Sequence, residues 1–479
     1  MGNSRDACRT LILGLLAGSL WVWPGCGSRN QEPPAPPPAG PSAKTAAAEQ
    51  SPLSPQDTPW EPGTEANAKD YTLVTVFYGT DRDFLELSGA RKDAYLGWYY
   101  ATALAAGITI LLALIALRLS QSRGVRAVTG GGLAVTVALG IATTLVRLHS
   151  EQINPGEHPS YGNQRGELQM GTCQVSVPRY HEVGHVERPS ILKLQFREDP
   201  RKHVVLVDVV PESAEAWFSQ LKAGVGAAPR REALVFVHGF NVTFEDAARR
   251  TAQLAYDLKF EGPPIFFSWP SQGGLLEYAV DETNVAWSVP HLKEFLTAVA
   301  SRSGAESVHL IAHSMGNRAL TYALAQLARQ TRRRGAMFRE VILTAPDIDA
   351  DVFKRDIAPA IAKSAARVTL YASSNDEALM LSKKLHGYPR AGDSGSAMVV
   401  VPGIETIDVS RVDTSLLGHS YYGNNDTVLA DMFYLIHQSL PASRREWLEP
   451  RPWGDGQYWV LVPDAGLVRE AAVPEPPIR

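Results

Sequence analysis

The chain has 479 residues, a hydrophobic share of 45% and a formal net charge of −4. That is room for more than one globular domain, and it leaves no electrostatic case for a nucleic-acid partner. Three cysteines are present. Two of them, Cys8 and Cys26, fall in a leader-like stretch, so the folded part holds one thiol, Cys173, and no internal disulfide. No C-x-x-C and no grouping of His with Asp or Glu has metal-ligand spacing, so neither metal nor cofactor is expected.

Residues 1–30 read as an export signal. Arg5 and Arg9 form a weakly positive start, Leu11 to Trp23 an apolar core, and Gly25-Cys26 follows. A small residue before a cysteine at that distance resembles a bacterial lipoprotein cleavage site, which makes Cys26 a candidate for lipidation. The alternative is an uncleaved signal anchor. Residues 31–66 (EPPAPPPAGPSAK and its surroundings) are too poor in bulky apolar side chains to fold and read as an extended tether.

Leu73 to Phe77 reads as a strand, the first part of a folded domain over 67–92. The composition then changes over 93–150. Leu96 to Leu117 and Ala127 to Val146 contain no charged residue. Each is long enough to span about 30 Å of hydrocarbon at ~1.5 Å per residue. Between them lie Arg118, Arg123 and Arg126 without an acid, which favours the cytoplasmic side. Two spans make a hairpin, so the chain before and after it lies on the same, extracytoplasmic side. The expectation is a bacterial envelope protein anchored in the inner membrane, with a two-helix transmembrane hairpin inserted near the start of its domain.

From residue 151 to 440 the pattern is that of one α/β domain. Cys173 to Val177, Leu192 to Phe196 and Val204 to Val210 are strand-like, and Cys173 reads as a small buried apolar residue. Beyond residue 200 strands and helical patterns alternate, which predicts a mostly parallel sheet with helices on both faces. Helices are expected near Glu212, over 244–260, from Pro290 to Arg302, after Ser314, and from Asp426 to Leu440. Gly273 to Trp287 reads either as a lid or acyl pocket, or as an ordinary connection with a short helix. Residues 441–479 form a C-terminal extension whose β-like Tyr458 to Val462 has no evident place.

The chemistry concentrates at Val308 to Asn317, VHLIAHSMGN. An aliphatic run ends in Ala312-His313-Ser314-Met315-Gly316, and a helical pattern follows at once. That is the strand, sharp turn and helix that lifts a serine hydroxyl clear of a sheet edge, with small residues where the turn crowds its neighbours. Ser314 is therefore the candidate nucleophile. It needs a base oriented by a carboxylate. Of twelve histidines, His419 is preferred, because it stands in the loop between the last strand and the final helix. His386 and His437 lie in helical patterns, and His313 is set aside on chain-direction grounds. Asp376 and Asp347 compete to orient the base; Asp376, after the second strand beyond the nucleophile, occupies the commoner position. Main-chain N–H groups of Met315 and of Phe240, in His238-Gly239-Phe240-Asn241, are candidates for the oxyanion hole.

With these residues in place the chain resembles the α/β-hydrolase superfamily. More narrowly, it is similar to a bacterial family of esterase/lipase-like hydrolases of unknown function. The matching stretches are FYGTDR (Phe77 to Arg82), GTCQVSVP, HVERP, VFVHGFN, FSWPS, AHSMGN, APDIDADVF, SSNDEAL and GHSYY. The resemblance implies the α/β-hydrolase fold, a Ser314–His419–Asp376 triad and an oxyanion hole from Phe240 and Met315. The expected activity is hydrolysis of a small-molecule or lipid ester at a membrane. Two alternatives stay open: a catalytically silent envelope scaffold on the same fold, and an acyltransferase using the same triad.

Overall fold

The structure, a computed structural model, describes residues 70–85, 159–189, 195, 198–272, 277–330, 336–412 and 426–462. These lie in one compact unit, Thr58–Arg479; the other unit, Met1–Asp57, is outside the described residues. So are the leader with Cys26, the tether, the hairpin of 93–150 and the loop with His419. Among the described residues no helix is long and apolar enough to cross a membrane.

The elements run β1 (Tyr71–Leu85), β2 (Ser160–Pro178), β3 (Val205–Glu212), α1 (Ala214–Ala227), β4 (Glu232–Val237), α2 (Phe244–Asp257), β5 (Pro264–Ser268), α3 (Tyr278–Arg302), β6 (Ser307–His313), α4 (Gly316–Gln330) and β7 (Phe338–Thr344). A short helical stretch over 350–361 follows, then β8 (Ala365–Ala372), α5 (Glu377–His386), β9 (Glu405–Asp408), α6 (Asp426–Gln438), β10 (Leu448–Trp453) and β11 (Gly456–Leu461). All described strands form one sheet in the order β10-β11-β9-β8-β7-β6-β4-β5-β1-β2-β3. From β11 to β1 every neighbouring pair is parallel; β2, β3 and β10 are antiparallel additions at the two edges.

Central strands of a parallel sheet are covered on both faces, and alternate side chains enter different cores. In β4, Ala233, Val235 and Val237 face one core, together with Trp217 of α1, Phe295 of α3 and Leu320 of α4. Leu234 and Phe236 face the other, with Phe244 of α2 and Leu435 of α6. The same split recurs in β6, where Leu310 and Ile311 point to opposite sides. Truncating a fully buried Leu310 to alanine is worth about 2–5 kcal/mol of stability.

Two elements differ from the sequence reading. The helix expected from Pro290 begins at Tyr278 and carries Pro290 in its interior. Its buried face (Asp281, Val285, Ser288, Leu292, Phe295, Val299) keeps a three-to-four spacing across the proline, so tertiary packing holds a turn that proline alone would end. Residues 278–287 are thus the first turns of α3. The C-terminal residues 448–461 are strands of the sheet, because β11 pairs with β9 through Trp459 and Val460. Arg445, fully buried, fastens the approach by ion pairs to Asp431 (2.7 Å) and Glu405 (2.9 Å).

Candidate active site

Strand order reverses at β4: β5 lies on one side of it and β6 on the other. A crevice beyond the carboxyl ends of strands at such a reversal is where open α/β sheets bind ligands. The loops after β4 and β6 meet there, and they carry His238–Asn241 and Ser314.

Ser314 has φ +48°, left-handed backbone in a non-glycine residue, which costs of order 1–3 kcal/mol and persists only where the surroundings enforce it. The enforcement is visible. Ser314 N–H donates to Thr344 O at 3.0 Å, and Ser314 O accepts from the N–H groups of Asn317 (3.1 Å) and Asp347 (3.3 Å). The Asn317 side-chain amide donates to Ser314 O and to Thr344 O, both at 3.0 Å. Two glycines make room. A Cβ on Gly316 would lie 2.2 Å from His238 O, and one on Gly239 would lie 3.0 Å from the Cβ of Ser314. The loop after β4 and the turn at Ser314 therefore lie too close for even a methyl group at either glycine. Asn241 is also left-handed, at φ +57°. Neither the Phe240 nor the Met315 N–H has an acceptor among the described residues.

The loop after β4 rests on a buried polar frame that sequence reasoning did not resolve. Arg82, fully buried at the end of β1, donates to Ser268 Oγ (2.8 Å), Gly162 O (2.9 Å), Ser271 O (3.1 Å) and Val242 O (2.7 Å). Trp269 donates from its indole to His238 O at 2.8 Å and stacks on the His238 ring. Ser271 Oγ accepts from Val242 N–H and donates to Asp281 at 2.6 Å. Burial, with the Arg82 guanidinium adding to it, drives the His238 pKa down to about 3, so the ring is neutral. Gly239 O, which can only accept, lies 2.8 Å from Nδ1. The ring hydrogen therefore sits on Nδ1, and Nε2 accepts from Ser268 Oγ at 3.1 Å. His238 is a strut of this loop. The stretches FYGTDR and FSWPS, legible as motifs, are its foundation: the first supplies Arg82, the second Ser268, Trp269 and Ser271.

The two aspartates differ. Asp347 is buried and receives Arg390 Nε (2.7 Å), Ser382 Oγ (2.6 Å) and the Tyr278 hydroxyl, with Arg318 3.5 Å away. Burial pushes its carboxyl up, but Arg318, Arg390 and the two hydroxyls outweigh burial and hold it below the usual carboxylate range. Asp376 caps α5, accepting from Leu379 N–H at 3.0 Å. Its loop is tied to the chain leaving β9: Ser374 N–H donates to Ser410 Oγ and Asn375 Nδ2 to Ser410 O, both at 2.8 Å. Residues 413–425, with His419, begin just beyond that tie. Cys173 is buried in β2 and its thiol pKa is pushed well up by burial, which makes it a packing residue. Among the described residues no group of His, Cys, Asp and Glu could hold a metal.

Comparison with known proteins gives three likenesses. Residues 211–438 match the family described as alpha/beta hydrolase of unknown function. A segment of 66 residues, 14% of this chain, is 35% identical to an uncharacterized protein of Nostoc sp., of whose length the match spans 17%. A crystal structure of a candidate hydrolase of the alpha/beta superfamily from Xanthomonas campestris pv. campestris aligns with 43% of this chain and 99% of its own, at 16% identity and a TM-score of 0.24. The α/β-hydrolase family read from the motifs is the one the family model matches.

Proposed function

We propose that this alpha/beta hydrolase is a membrane-tethered serine hydrolase that cleaves carboxylic esters through an acyl-enzyme. Ser314 is the nucleophile, His419 the base and Asp376 the carboxylate that orients it. The observation that carries the reading is the left-handed Ser314 held against Gly239, a strained geometry that a plain strand-to-helix turn has no need of. In the reaction, Ser314 Oγ attacks the ester carbonyl as its proton passes to His419. The oxyanion takes the N–H groups of Phe240 and Met315, and the protonated imidazole returns its proton to the leaving alcohol. Water, deprotonated by the same ring, then attacks the acyl-serine and releases the acid.

Asp376 is preferred to Asp347 because the chain toward His419 leaves β9 tied to the Asp376 loop, whereas Asp347 is occupied by two guanidinium groups and two hydroxyls. The uncharged runs of 93–150 anchor the enzyme in the inner membrane with this domain on the periplasmic side. A fluorophosphonate probe is expected to label the detergent-solubilised protein at Ser314. Ser314→Ala should abolish both labelling and p-nitrophenyl butyrate hydrolysis, a loss of about 10³-fold or more, with circular dichroism unchanged. Undiminished activity in that variant would refute the proposal.

A further inference from the structure

The strand directions give the site an orientation. β1 runs parallel to β5, with Thr80 opposite Ser268, and through β4 it is parallel to β6. Its carboxyl end therefore points to the same rim as Ser314. Beyond Thr80 the β1–β2 ribbon continues, with irregular register between Thr80 and Phe84, to Leu85, which pairs with Ser160; Ser160 Oγ donates to Glu245 in the first turn of α2, the helix that follows β4 at this rim. The chain leaves at Leu85 and returns at Ser160, so both ends of the segment with the two uncharged runs sit together at the catalytic rim.

A second feature of that rim lies on α5. Ser382 and His386 face inward, bonded to Asp347 (2.6 Å) and Glu282 (2.8 Å). On the adjoining flank Leu381 and Leu385 follow at positions i and i+4, 51% and 61% exposed, and Tyr388, 64% exposed, stands just past the left-handed Gly387 that caps the helix. Met380, 43% exposed, and the exposed Lys384 border them. Single exposed apolar side chains are ordinary, but a bulky stripe flanked by lysine along one helix face is the pattern of a helix lying at a lipid interface.

We infer that the catalytic rim is apposed to the bilayer, with the outer face of α5 seated among the lipid headgroups, and that the substrate is an amphiphilic ester reached from the membrane. The inference rests on the tethered-hydrolase reading above and adds to it the side of the domain that meets lipid. The occupant of the α5 face is the bilayer because Leu85 and Ser160, the described residues that flank the segment holding the apolar runs, lie paired at this rim, and because the lysine suits anionic headgroups.

The test uses the full chain in vesicles of phosphatidylcholine and phosphatidylglycerol, with Cys8 and Cys26 changed to serine and the buried Cys173 retained. An NBD fluorophore is placed on Leu385→Cys or, as control, on Glu306→Cys, an exposed site just before β6 at the opposite rim. Doxyl-labelled lipid should quench the probe at 385 several-fold more strongly than the probe at 306. Equal quenching, stronger quenching at 306, or a chain that fails to float with the vesicles would overturn the inference. The readout needs no turnover. An inactive protein quenched at 385 would sink the hydrolase reading alone, and an active one unquenched at 385 would sink only the orientation.

Discussion

Asp347 and Asp376 end the turns after adjacent strands of one sheet, both are buried, and each follows a short polar or proline-bearing turn. Their surroundings differ. Asp347 is enclosed by Arg390, Arg318, Ser382 and Tyr278, so its charge is consumed in joining α3, α4, α5 and the 389–392 loop behind the elbow. Asp376 makes one described side-chain bond, a helix cap. A carboxylate that three or four partners saturate fixes shape; one with bonding capacity left has what the proposed orienting role requires.

The sharpest way to break this comparison is Asp376→Asn. Asparagine caps a helix as well as aspartate does, so the thermal midpoint should hold while kcat falls by about 10²–10⁴-fold, as expected when a base loses its orienting charge. An unchanged kcat for p-nitrophenyl butyrate would transfer that role to Asp347. The converse variant, Asp347→Asn, leaves Arg390 buried and short of its counter-charge. It should cost about 3–5 kcal/mol in urea unfolding, with any loss of kcat following the loss of folded protein.

The same carboxylate sets a pH signature. Because Asp347 titrates below its ordinary value when folded, its stabilisation is complete above the unfolded pKa of about 4 and disappears as pH falls through the folded value. Wild type should therefore lose stability below about pH 4 more steeply than Asp347→Asn. Parallel acid limbs in the two proteins would show that the ion cluster contributes nothing. The smallest effect is expected from Ser382→Ala, which removes one hydroxyl donor to Asp347 and should cost about 1–2 kcal/mol without altering the dependence of kcat on pH.

Much of this was legible in the chain. The aliphatic run before Ser314, the small residues at its flanks and the helical pattern after it encode the elbow locally, because strain, close approach and helix start fall within ten residues. Alternation of strands and helices encoded a parallel sheet for the same reason. The partners of the two aspartates were not legible. Arg390 and Arg318 stand on other elements, and no periodicity says which carboxylate they neutralise. Nor was the role of Arg82, whose bond to Ser268 joins residues 186 apart, or the seat of Trp459 and Val460 beside β9.

By itself the sequence determined the turn around Ser314, the parallel α/β layering and the apolar composition of residues 93–150, since each is written in neighbouring side chains. Only the tertiary structure decided which acid is spent on architecture, what supports the loop after β4, and toward which rim the insertion opens. Those depend on strand direction and on burying distant charges together, and such pairings are fixed by packing in space rather than by order along the chain.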